Sequence, residues 1–110
     1  MIHLKPGVKL TSLCPQMVLA VTIAHTVYQD VCHADLWVTS ANDGVHPGGA
    51  RPSFHPLGKA VDLRSKNISA DHRQGVFDLL REALGSEFTV LWEFRGQDND
   101  HFHVQYEGTL

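Results

Sequence analysis

Basic residues are scarce and scattered in this chain of 110 residues: nine lysines and arginines stand against twelve acidic side chains, a formal net charge of -3. Binding a phosphate backbone calls for a basic surface, so nucleic acid is excluded as the main partner. Cysteine is nearly absent. Cys14 and Cys32 are too few for a disulfide framework. They bracket a predicted helix that holds them roughly 27 Å apart at about 1.5 Å per residue, which forbids a bridge. Long hydrophobic runs are missing as well. The stretch Met17 to Ala24 is far short of a membrane span and is broken by Thr22. The chain also lacks the basic start and cleavage site of a signal peptide, so neither Sec export nor a membrane partner is expected. Repeats and low-complexity tracts are absent.

What remains is an ordinary globular composition, 43% hydrophobic and 19% charged, which suits one domain over residues 1–110 with a single core. The expected oligomeric state is a monomer. Eight histidines are the oddity, and their positions matter more than their number.

Residues 1–11 read as an irregular or short-strand segment, with Pro6-Gly7 as a turn. From Pro15 to Val31 the apolar positions Val18, Val21, Ala24, Tyr28 and Val31 recur at helical steps, and Pro15 suits a first turn. Leu36 to Thr39 is β-prone and runs into the turn composition Ser40 to Gly44. The Pro- and Gly-rich stretch 45–56 reads as a surface loop. Gly58 to Leu63 then alternates, with Val61 and Leu63 opposite Ala60, Asp62 and Arg64. Ser69 can cap a second helix with the stripe Val76, Phe77, Leu80, Ala83 and Leu84, closed by Gly85. Phe88–Phe94 and His101–Tyr106 read as a hairpin across the polar turn 95–99. The expected class is α+β, a small antiparallel sheet with two helices.

Strand alternation carries the chemistry. Phe102, Val104 and Tyr106 face the core, so His101 and His103 share the opposite face, and Asp62 lies opposite Val61 and Leu63. If these two strands are neighbours, Asp62 and His103 converge, and His55 arrives from the loop as a third ligand. Neutral imidazole and carboxylate are zinc ligands, and a catalytic site uses three of them with water in the fourth place. Zinc is the expected cofactor, in a small zinc-dependent hydrolase.

Ser53, His55, Gly58, Ala60 and Asp62 meet the pattern S-x-H-x-x-G-x-A-x-D at every fixed position, and His101-x-His103 follows on a later strand. This combination resembles the LAS zinc peptidases, in particular their D-Ala-D-Ala carboxypeptidase and phage endolysin branch, over about residues 38–105. The resemblance implies a hedgehog/DD-peptidase-like fold and hydrolysis of a peptide bond in the stem peptide of bacterial cell-wall peptidoglycan. The site of action would be the wall, and the producing compartment the cytoplasm or a phage particle. His55, Asp62 and His103 would hold the metal. His101 would support the polarised carbonyl or the metal-bound water, and Asp100, three before the last ligand, would act as base, with Glu93 as its rival. The arginine that the family often carries after the Thr-Ser strand end is absent; Arg51 would supply that charge, and Arg51, Ser53 and Asp43 are the expected substrate-binding residues. His46 and Arg64 also border the expected cleft. Other readings are a metal-binding module without catalysis and a virion component of the same fold. A cupin motif in His101-x-His103-x3-Glu107 lacks the downstream strands it requires.

Overall fold

A computed structural model describes residues 1–11, 13–41 and 58–108. Its elements in chain order are β1 (Ile2–Leu4), α1 (Pro15–Cys32), β2 (Leu36–Ser40), β3 (Ala60–Arg64), α2 (Ala70–Leu84), β4 (Phe88–Glu93) and β5 (His101–Tyr106). The strands form one five-stranded sheet in the order β1-β2-β3-β5-β4. The class is α+β, as the sequence pattern predicts, and both helices and the last four strands fall within a residue or two of their expected bounds.

The sheet is mixed rather than purely antiparallel. β2, β3, β5 and β4 pair antiparallel, but β1 joins β2 in parallel register through Ile2–Leu36, His3–Trp37 and Leu4–Val38. Three residues carry no readable periodicity, and their pairing is set by tertiary context.

Both helices cover one face of the sheet. α1 buries Met17, Ala20, Val21, Ala24, Val27 and Tyr28, while Val18, expected on the buried stripe, is solvent-facing. α2 buries Val76, Leu80 and Leu84 against Phe102 and Val104 of β5, and Ala83 faces outward. The Tyr28 hydroxyl donates to the Arg64 carbonyl at 2.7 Å, tying α1 to the end of β3. Two ends match their sequence signals. Pro15 opens α1, and Gly85, at φ +84°, closes α2 in a conformation that favours glycine. Ser69 precedes α2 but makes no capping bond to the backbone; its hydroxyl meets His72 Nδ1 at 2.7 Å. Cys14 and Cys32 are both free thiols. No helix among the described residues is long and apolar enough to cross a membrane.

The other face of the sheet is left without a helix among the described residues. β3 and β5 are direct neighbours, so the condition for Asp62 and His103 to converge is met.

Candidate metal centre

The open face is built by register. Asp62 of β3 and His103 of β5 are Cα partners, as are Arg64 and His101. From the other side, Glu93 of β4 pairs with His101, and Leu91 with His103. Every second residue of a strand points the same way, so Asp62, Arg64, His101, His103 and Glu93 occupy one surface. Two motif positions have structural reasons here. Gly58 sits at φ +71°, in the left-handed region, and its carbonyl accepts the Cys14 amide at 3.0 Å. Ala60 is fully buried, as suits a small apolar residue.

Two imidazole–carboxylate pairs stand side by side. His103 Nδ1 lies 2.8 Å from Asp62 Oδ1, and its Nε2 lies 2.8 Å from Gln105 Oε1. His101 Nε2 lies 2.9 Å from Glu93 Oε1 and 3.8 Å from Asp62 Oδ1. His101 Nδ1 donates to the Asn99 carbonyl at 2.8 Å; a carbonyl only accepts, so Nδ1 carries the hydrogen and Nε2 is turned to the carboxylates. Burial alone would lower the pKa of His103. Its hydrogen bonds to Asp62 and Gln105, with the charges of Asp62 and Glu93, outweigh that and raise it above the ordinary value.

The donor set is one that could hold a metal ion. Among the described residues one ligand atom each from Asp62, Glu93 and His101 falls within 4.8 Å of the others, all three side chains being half-buried. A metal-bound imidazole commonly donates its other nitrogen to a carbonyl, and His101 already does so through Asn99. Asp62 stands between the two pairs, 2.8 Å from His103 and 3.8 Å from His101. Beside it lies a cleft of about 380 Å³ whose walls include Thr39, Asp62, Arg64 and His101. A larger groove of about 660 Å³ between α2 and β4 carries no imidazole and none of the motif residues.

Asp100 is placed differently from its neighbours. It is 4% exposed and forms part of the cleft wall, but its carboxylate is turned inward. Its Oδ1 accepts from the Ser65 hydroxyl and from the Trp92 indole at 2.8 Å, and its Oδ2 accepts from the Gly96 amide at 2.7 Å. Burial pushes the Asp100 pKa up, but these three donors and the Arg73 charge overcome it, and the carboxyl sits below its ordinary value. Both oxygens thus serve the turn that joins β4 to β5. His55, Ser53, Arg51 and Asp43, with His46, lie outside the described residues.

Sequence reasoning brought Asp62, His101 and His103 to one face and kept Glu93 as a rival base. It missed Gln105 and Asn99 as partners of the two imidazoles. Gln105 was findable, since it lies two residues after His103 and so shares its face. Compared with known proteins, the chain matches no family model, no curated protein and no solved structure.

Proposed function

We propose that the chain is a zinc-dependent peptidase acting on the stem peptide of bacterial peptidoglycan. The observation that supports this best is the convergence of two imidazole–carboxylate pairs, Asp62–His103 and Glu93–His101, on the open face of one sheet beside a cleft. The wall substrate rests on the motif resemblance alone.

Asp62, His103 and His55 would hold the ion, with His101 as the alternative nitrogen ligand that its anchored Nδ1 and its place beside Asp62 and Glu93 favour. Bound there, zinc would acidify a water toward neutral pH and polarise the carbonyl under attack. Glu93 is the chain's proton acceptor in this reading. Its side chain is 40% exposed, whereas Asp100, although on the cleft wall, has both oxygens engaged by Ser65, Trp92 and Gly96. A base must reach its proton within about 3 Å or through one water, and Glu93 has the open approach. His101, hydrogen-bonded to Glu93, positions that carboxylate and passes the proton toward the leaving amine. Asp100 holds the β4–β5 turn, and through it Asn99 and His101, in place.

Purified peptidoglycan incubated with the zinc-loaded protein should release shorter stem peptides, identified by mass spectrometry, and chelator should stop their release. Unchanged muropeptides at equal zinc occupancy would refute the peptidase reading.

A further inference from the structure

The cleft beside Asp62 has a basic side. Lys5, Arg64 and Lys66 line it together with His101, in a chain whose net charge is negative. We infer that Arg64, flanked by these lysines, is a subsite for a carboxylate group of the bound peptide. The subsite shares its cleft with Asp62 and His101. For the identity of the ligand as a peptide, this rests on the peptidase reading above.

Arg64 is set up for such a role from behind. Its guanidinium carbon lies 4.5 Å from the centre of the Trp37 ring. Trp37 in turn stacks on His3, with ring centres 4.5 Å apart and planes 16° from parallel, and His3 Nε2 meets Asp35 Oδ2 at 2.8 Å. This row across β1, β2 and β3 holds a planar fork against an aromatic face, so little side-chain freedom is left to lose on binding. The fork itself is unused: among the described residues no carboxylate pairs with it and no acceptor bonds to it, although Arg64 is half-buried. Three aspartates share the cleft, and Asp62, the closest in register, is engaged with His103 at 2.8 Å. Asp100 turns both oxygens to Ser65, Trp92 and Gly96, and Asp98 is fully exposed and lies 3.8 Å from Lys66.

Register fixes what the subsite would present. Arg64 and His101 are direct Cα partners on β3 and β5, about 4.5–5.5 Å apart in an antiparallel pair. Asp62 is two residues along the same strand, on the same face. The Arg64 guanidinium leans over Trp37 of β2, the strand on the far side of β3 from His101, so a carboxylate gripped by two parallel N–H donors there lies in the same cleft as Asp62 and His101, toward its β2 side. Such a group comes either from a peptide C-terminus or from an acidic side chain.

The test is calorimetric titration of the whole protein, zinc-loaded and after chelation, with three blocked dipeptides. Acetyl-Ala-Ala carries a free C-terminal carboxylate, acetyl-Ala-Glu-amide a side-chain carboxylate, and acetyl-Ala-Gln-amide none. At least one of the first two should bind about ten- to a hundredfold tighter than the third, the range for a charged hydrogen-bonded contact. Whichever binds tighter identifies the source of the carboxylate. Arg64→Gln should erase the preference, Arg64→Lys should keep part of it, and Lys9→Gln should leave it intact. Equal affinity for all three, no binding by any, or a preference that survives Arg64→Gln would overturn the inference. A preference that holds in a protein cutting no wall peptide would refute the peptidase reading and leave the subsite standing.

Discussion

Asp100 separates two accounts of the site, because a base and a structural anchor fail differently. Asp100→Asn keeps one oxygen, which can go on accepting from Ser65 and Trp92, but turns an amide NH2 toward the Gly96 N–H that now bonds Oδ2 at 2.7 Å. One buried donor is orphaned, at about 1–3 kcal/mol. Asp100→Ala orphans all three. The Ser65 hydroxyl can rotate away and the cavity can admit water, so the loss is about 3–5 kcal/mol rather than three full penalties. At about 4 °C per kcal/mol for a domain of this size, melting should fall by about 4–12 °C for Asn and about 12–20 °C for Ala. The pH dependence has a definite sign. The Asp100 carboxyl is held below its ordinary value of 3.8, so its contribution is complete above that value and fades as pH falls through the native one. The gap between wild type and Asp100→Asn should accordingly be full near pH 7 and shrink in acid below about pH 4. Urea unfolding followed by tryptophan fluorescence reads both quantities, since Trp92 is one of the donors. An Asp100→Asn variant with unchanged melting and urea midpoint but no turnover would refute the anchor and restore Asp100 as the base.

Three other outcomes follow from the geometry. Glu93→Gln should keep fold and zinc while lowering turnover about a hundred- to ten-thousandfold, the usual range for loss of a general base; steady-state kinetics on a stem peptide checks this, and near-normal turnover would remove Glu93 from the chemistry. His103→Ala should strip most of the zinc while His101→Ala retains it and loses rate, read by elemental analysis of both variants; the reverse pattern would make His101 the nitrogen ligand. Phe102→Ala, which empties a fully buried position between α2 and the sheet, should cost about 3–5 kcal/mol in urea unfolding, and a loss below about 1 kcal/mol would mean that the core closes over the gap.

The β4–β5 hairpin was legible because alternation and a polar turn agree, and its register then delivers His101, His103 and Glu93 to one face. Asp62 was legible for the same reason on β3. The parallel pairing of β1 was not, since three residues with no period say nothing about their partner. Val18 misled because an apolar residue at helical spacing need not face the core when Met17 and Ala20 do. Asp100 was expected as the base from its place three before His103, a spacing that says nothing about its hydrogen-bond partners. Only the fold shows Ser65, Trp92 and Gly96 gathered around its carboxylate. The expected ligand His55 and the expected substrate contacts Arg51, Ser53 and Asp43 fall outside the described residues, so the loop half of the site stands on the motif alone.

The most direct measurement is the zinc content of the purified protein and of Asp62→Ala, taken by elemental analysis after reconstitution and removal of loose metal. Asp62 faces both imidazoles, at 2.8 Å from His103 and 3.8 Å from His101, so no ligand set on this face survives its loss. The prediction is one zinc per chain in the wild type and close to none in the variant, with the circular dichroism of the two alike. A wild-type protein that takes up no zinc, or an Asp62→Ala variant that binds it as fully, would contradict the metal centre and the peptidase reading with it.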